Sequence, residues 1–265
     1  MKNLAIAYNK TIDHSVEVMQ ELKSVLLANG VAADIFDIDA LKSGYDFVFV
    51  IGGDGTILKT ARFYAKYSTP IFGINLGRLG FLSQSSKENL TSSVEKILKG
   101  EYRVEDRIML QSGEKIALND FVVKGTTTGR TSRFSLKIND KFVCDYLADG
   151  IIITTPTGST AYGLSAGGPV ISPNLSAFLI VPICPHTLTA RPIVIPDDEI
   201  ITICSDKDLT NYVASTDGQE FYEFAKEITI KKSENVAKLA LLDGEEFYSV
   251  LRNKLHWGIS PACIK

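Results

Sequence analysis

A chain of 265 residues, 45% of them hydrophobic, can bury one large core or two modest ones, and two domains are expected. A formal net charge of -3 leaves no basic footprint, which argues against nucleic acid as a partner and makes any anion site a local one. The four cysteines, Cys144, Cys184, Cys204 and Cys263, form no CxxC pair, so the sequence points to free buried thiols in a reducing compartment rather than to zinc.

The N-terminus runs almost directly into the strand-like NLAIAY. There is no charged leader ahead of a long apolar segment and no run of membrane-spanning length, so a soluble, cytoplasmic protein without membrane contact is expected. After a strand at residues 3 to 8, Val16, Met19, Leu22, Val25 and Leu26 recur at helical spacing up to the stop signal Asn29-Gly30. Strands near 32 to 38, 46 to 51 and 70 to 75 follow, with helices near 57 to 67 and 87 to 99, which is the pattern of a parallel, doubly wound sheet. From about residue 102 the texture becomes short β-rich runs, among them LKINDKFVC with a hairpin turn at Asn139-Asp140. A last amphipathic stretch, EEFYSVLRNKLHW, reads as a helix with Phe247, Val250, Leu251 and Leu255 on one face, able to dock back on the first domain. The domains expected are therefore 1–100 with about 246–265, and 101–245.

The sequence VFVIGGDGTILKT, residues 48 to 60, places Gly52, Gly53, Asp54 and Gly55 at the end of a parallel strand and the start of a helix, where open α/β sheets bind ligands. It is not the dinucleotide fingerprint, whose third glycine would fall at Leu58, and it lacks the GxxxxGK of a P-loop. What remains is a phosphate cradle carrying its own acid. A carboxylate beside a phosphate is repelled unless it holds a metal ion or accepts the proton of an attacking hydroxyl, and phosphoryl transfer offers both roles. A plain tight turn is the alternative for Gly-Asp-Gly, and a solvated helix charge the alternative for the nearby Lys59.

INLGRLGFL, residues 74 to 82, repeats the arrangement after the next strand, with Gly77 and Gly80 freeing the backbone and Arg78 placed to reach a phosphate or simply to sit in a surface turn. Asn119-Asp120 is a donor and acceptor pair suited to a ribose or a base, or an ordinary turn. In DGIIITTPTGSTAYGLSAGGP, residues 149 to 169, a buried strand runs into a loop of small residues around Tyr162, where a ligand can approach the backbone. His186 and His256 read as structural, and Arg191 as facing either a subunit partner or a core carboxylate.

On GGDG, LGRLGF at 76 to 81, Asn119-Asp120, the 149 to 169 block, VPICPHTLTARPIVIP at 181 to 196 and TDGQ at 216 to 219, the chain closely resembles the NAD kinase family over nearly its whole length. GGDG alone is shared with diacylglycerol-type lipid kinases and, loosely, with phosphofructokinases; the long TPTGSTAY block with PHTLTARP is far more specific. The resemblance implies an α/β, Rossmann-like N-terminal domain, a β-rich, sandwich-like C-terminal domain and transfer of a phosphoryl group from ATP or polyphosphate, with Mg²⁺, to the 2′-hydroxyl of NAD's adenosine ribose. It implies Asp54 as general base, Gly52, Gly53 and Gly55 with Lys59 and Arg78 around the phosphate donor, and a homodimer or homotetramer. For NAD it implies Asp54, Gly55, Asn119, Asp120, Asp149, Thr160, Ala161, Tyr162, Gly163, Leu164, Ser165 and Gln219, with no metal ligand assigned. Leu147 stands where some members of the family carry a basic residue. A lipid kinase using the same loop and a nucleotide-binding protein without turnover are the competing readings; the first would expose an apolar groove or membrane-binding face, the second would bind without turning over.

Overall fold

The computed structural model describes residues 3–77, 80–126, 131–205, 212–224, 226–243 and 247–257. The chain divides into two compact units, Met1–Asp106 with Ala237–Lys265, and Arg107–Val236.

In the first unit, β1 (Leu4–Tyr8), α1 (Ser15–Ala28), β2 (Ala33–Asp37), β3 (Phe47–Ile51), α2 (Asp54–Ala65), β4 (Ile71–Asn75), the short β5 (Ser85–Ser86), α3 (Leu90–Lys99) and β6 (Arg103–Arg107) follow in order. β1 pairs in parallel with β2 and β3, and β3 with β4. All five residues of β3 and of β4 are buried, as strands covered on both faces require. Strand alternation sends Phe47, Phe49, Ile51, Phe72 and Ile74 into one cluster with Val18, Leu22 and Leu26 of α1 and Leu90, Val94 and Ile97 of α3. Gly73, between two of those residues, faces the other way onto α2, where a Cβ would stand 2.5 Å from Ile57 Cδ1.

The second unit is two antiparallel sheets. Its strands are β7 (Leu110–Ser112), β8 (Lys115–Ala117), β9 (Asp120–Gly125), β10 (Ser132–Ile138), β11 (Lys141–Ala148), β12 (Gly150–Thr154), β13 (Ala177–Ile183), β14 (Ile193–Pro196), β15 (Ile201–Ser205), β16 (Tyr212–Thr216), β17 (Glu220–Phe224) and β18 (Glu227–Lys232). One sheet runs β11-β10-β15-β18-β7-β8 and the other β14-β13-β12-β9-β16-β17. Phe134, Leu136, Ile201 and Ile203 of the first sheet and Phe121, Val123, Ile151 and Ile153 of the second share one core, as in a sandwich. Asn139 (φ 50°) and Asp140 (φ 63°) both lie in the left-handed region and turn the β10–β11 hairpin as their sequence suggests.

The outer face of the second sheet, with Val122, Ile152, Leu179 and Val181, is covered by Ile171 and the chain leading to it. That chain is not the open loop its composition suggests, but a 3₁₀ turn at Thr157–Thr160 and a one-turn helix, α4, at Tyr162–Ser165. Its small residues have a packing cause: a Cβ on Gly158 would meet Asn119 O at 2.3 Å, and one on Gly168 would meet Gly163 O at 2.8 Å.

The chain rejoins the first unit at Ala237, with a strand before the expected helix. β19 (Ala237–Leu241) enters the first sheet beside β4 and next to β6, and α5 (Phe247–Leu255) follows, burying Val250 and Leu251. Among the described residues no helix is long and apolar enough to cross a membrane.

Candidate functional site

In the first unit the glycine-rich segment leaves β3 directly into α2, which opens at Asp54, earlier than helical periodicity suggests, because the apolar stripe begins only at Ile57. Gly52 turns the chain at φ 154° and donates its N–H to Ile74 O at 3.0 Å, tying the turn to β4; a Cβ there would lie 2.4 Å from Thr56 Oγ1. Gly53 caps the helix and Asp54 sits in its first turn, at the positive end of the helix dipole.

The Asp54 carboxylate is held from a second direction. Phe81 N–H donates to Oδ2 at 3.0 Å and Leu82 N–H to Oδ1 at 3.3 Å. The loop that supplies them is itself knit together: Asn75 Oδ1 accepts Gly77 N–H at 2.8 Å, and Ser83 Oγ, fully buried, accepts Gly80 N–H at 2.6 Å. Gly80 packs so tightly on Asp54 that a Cβ would stand 1.9 Å from Oδ1. Gly80, Phe81 and Leu82 thus form a clamp on the acid, a role their sequence does not announce. Lys59 is turned to Asp39, with which it forms an exposed ion pair. Arg78 lies outside the described residues.

The second unit holds a cavity of about 380 Å³ on the β9–β16 surface. Of the residues singled out in the sequence it brings together Asn119, Asp120, Ala161 and Tyr162; Val122, Lys124, Val213, Ser215, Asp217, Gly218 and Phe221 complete its wall. Asp149, Thr160, Gly163, Leu164, Ser165 and Gln219 do not line it. Asp149 follows β11 on the surface, donating its N–H to Ile183 O at 3.0 Å, and Gly163 lies buried against Thr154. Lys124 Nζ donates to Tyr162 Oη at 3.0 Å and lies 5.0 Å from the ring centroid, so the cation is bound to the aromatic wall.

The same cavity is lined by two carboxyl residues, Asp120 and Asp217. Asp217, at φ 50° in the turn between β16 and β17, accepts the N–H groups of Leu118 (3.1 Å), Asn119 (2.7 Å) and Asp120 (3.1 Å). Asn119 O in turn accepts from Thr155 N and Thr154 Oγ1, both at 2.9 Å, so the Asn119-Asp120 segment is held on both sides. Burial first, and the Asp217 charge second, push the Asp120 carboxyl up to about 7. Asp217 lies in the TDGQ segment that the sequence singled out, but only Gln219 of it was given a role, and Lys124 was not singled out; Asp-Gly at 217–218 signals a turn without saying what the turn captures.

His186 donates its backbone N–H to Leu147 O at 2.8 Å, and Arg191 caps the carbonyls of Leu188 and Ala190 at 2.6 and 2.7 Å rather than a core carboxylate. Among the described residues no group of three or more His, Cys, Asp or Glu side chains could hold a metal ion.

Two family models match, the ATP-NAD kinase N-terminal domain over residues 37–102 and the ATP-NAD kinase C-terminal domain over residues 118–242. The chain is 39% identical to an NAD kinase of Caldanaerobacter subterraneus subsp. tengcongensis, over 96% of this chain and 99% of that one. It is 41% identical to an NAD kinase of Carboxydothermus hydrogenoformans, over 88% of each. Its structure resembles that of an Archaeoglobus fulgidus NAD kinase in complex with ATP, with a TM-score of 0.81, 31% identity and coverage of 96% and 98% of the two chains. The yeast NADH kinase complexed with NADH, at 22% identity and a TM-score of 0.86 over 100% and 90%, shares the fold.

Proposed function

This chain belongs to the NAD kinase family, an enzyme family that phosphorylates NAD to NADP, and we propose that Asp54 is the general base of that reaction here. The observation that carries the proposal is that Asp54 is fixed in the first turn of α2 by its backbone while its carboxylate accepts the Phe81 and Leu82 N–H groups. A carboxylate has about four lone-pair sites, so two bonds orient it and leave others for a substrate hydroxyl. As the 2′-oxygen of the adenosine ribose forms its bond to the terminal phosphorus of ATP, its proton passes to Asp54 and the bond to the leaving ADP oxygen breaks.

In this reading Gly52, Gly53 and Gly55 approach the donor phosphates at the start of α2, where backbone N–H groups and the helix dipole favour anions. Lys59 and Arg78 are the cations assigned nearby. Asn119, Asp120, Ala161 and Tyr162 hold NAD, Asp54 and Gly55 meet it at the reacting hydroxyl, and Asp149, Thr160, Gly163, Leu164, Ser165 and Gln219 complete the assignment. Mg²⁺ fits as a partner of the triphosphate, since a cation of this kind keeps several waters and binds substrate phosphates rather than a dedicated protein cage, and no side chain is assigned as its ligand. When bound it supplies charge neutralisation on the transferring group. A loop that reads phosphates and no base leaves inorganic polyphosphate as an alternative donor. A cytoplasmic setting is supported by the free thiols of Cys144, Cys184 and Cys204. Assembly as a homodimer or homotetramer would cover the edge strands β11 and β14, where Phe142, Val143 and Val194 are exposed.

The test is NADP formation from NAD, ATP and Mg²⁺, read with an NADP-specific dehydrogenase. Asp54→Asn is expected to keep the fold and NAD affinity and to lose at least about a hundredfold in turnover. Near-normal turnover in the variant removes the base role. Wild-type protein that binds NAD yet makes no NADP from either ATP or polyphosphate would be a nucleotide binder without turnover.

A further inference from the structure

Two carboxyl groups face one cavity, and their surroundings differ. Asp217 receives three backbone N–H groups, which favour its charged form. Asp120 is 5% exposed, and what acts on its carboxyl is its own burial and the Asp217 charge. A second buried anion beside the first is disfavoured unless it is paired.

Among the described residues, the neighbours of Asp120 offer no such partner. Across β12 its register partner is Thr154, which spends its hydroxyl on Asn119 O. Glu220, which follows Asp217 by three residues and pairs with Thr216 in register, is itself bound to Lys115 at 2.7 Å. Lys124 lies four residues further along β9, about 13 Å at a strand's rise, and is engaged with Tyr162.

Resting on the NAD reading above, we propose that burial, reinforced by the neighbouring Asp217, keeps Asp120 as the neutral carboxylic acid, so that Asp120 meets the bound dinucleotide as an O–H donor to a ribose oxygen or ring nitrogen. Asp217 is then a positioning residue twice over: it shapes the Asn119-Asp120 segment through three N–H bonds and adds its charge to the burial that keeps the acid protonated. The consequence is a dinucleotide site that weakens with rising pH. Above neutrality Asp120 loses its proton, the donor becomes an acceptor and a negative charge is added beside a ligand that carries a pyrophosphate.

The experiment is NAD affinity by calorimetry at a series of pH values on either side of neutrality, with the whole chain. Wild type is expected to lose at least about tenfold in affinity as pH rises through the transition, since one unit of coupled shift is a factor of ten. Asp120→Asn, whose amide is a permanent donor, should bind NAD with an affinity that no longer changes with pH. Asp217→Asn keeps an acceptor for the Asn119 and Asp120 N–H groups, gives up the one for Leu118 and removes the charge, and should move the wild-type midpoint to lower pH, an effect a merely structural residue would not produce. A flat wild-type profile, or an Asp120→Asn profile that still falls like the wild type, overturns the proposal while leaving NAD binding intact. Failure to bind NAD at every pH overturns the NAD reading, and the proposal with it.

Discussion

Gly80→Ala isolates the clamp on Asp54. The added Cβ would stand 1.9 Å from Oδ1, 2.6 Å from Cγ and 2.8 Å from Oδ2. Restoring an ordinary contact of 3.4 Å requires the carboxyl and the loop to part by about 1.5 Å, enough to break the bonds from Phe81 and Leu82 at 3.0 and 3.3 Å. A displacement of about 1 Å in a reacting group costs on the order of a hundredfold in rate, or roughly 2.7 kcal/mol in the barrier. Overpacking costs about 1–3 kcal/mol in stability, and Gly80 is not in the left-handed region, so the fold is expected to survive. The assay is NADP formation at saturating NAD and ATP, with thermal melting and NAD binding in parallel. The expected result is a fall in kcat of at least about a hundredfold with NAD affinity kept, because the cavity lined by Asn119, Asp120 and Tyr162 includes neither Gly80 nor Asp54. Gly77→Ala is the control in the same loop, since its Cβ would meet only Asn75 Oδ1, at 4.0 Å. A folded Gly80→Ala enzyme with wild-type kcat would refute the idea that the loop sets the position of the acid.

Other outcomes can be checked alongside. Gly158→Ala drives a Cβ to 2.3 Å from Asn119 O and 2.4 Å from Thr154 Oγ1, neither of which can swing away, so it should cost about 1–3 kcal/mol in chemical denaturation and weaken NAD binding. The Asp120 carboxyl rises from 3.8 to about 7 on folding, so its contribution to stability is fully present below pH 3.8 and is lost as pH climbs through about 7. Asp120→Asn should therefore gain in melting temperature relative to wild type as pH rises across that window; a constant difference would contradict the shift. Chelation of divalent metal should abolish NADP formation while leaving the melting temperature in place, because no cluster of metal-ligating side chains supports the fold among the described residues. A large drop in melting temperature would mean a structural metal instead.

Much of the α/β unit was legible in the amino-acid order because its signals are local. Apolar residues at helical spacing mark α1 up to Asn29-Gly30, the apolar runs at 47–51 and 71–75 have the length and burial of interior parallel strands, and Asn139-Asp140 carries its own turn chemistry. The start of α2 was less legible, since Asp54 and Gly55 are turn formers, and they enter the helix where Gly52 is tied to β4, Gly53 caps it and Ile57 is packed on Gly73. β19 is another such case: Ala237–Leu241 has the pattern of any short strand, and its place beside β4 depends on a partner far away in the chain.

The chemistry divides along the same line. The sequence by itself determined that an acid sits in a glycine-rich stretch at a strand end, pointed to Asn119-Asp120 and the TPTGSTAY block as candidate ligand contacts, and showed to which family such motifs point. Only the tertiary structure decided that Phe81 and Leu82 hold Asp54, that Lys59 turns to Asp39, that the small residues near Gly158 pack against Asn119, and that Asp217 gathers three N–H groups from the far end of its unit. The physical reason is distance along the chain. A helical stripe or a turn is written in residues that are neighbours in sequence, whereas the bond from Asn119 to Asp217 joins residues 98 positions apart, and no local pattern records where a carboxylate will find its donors.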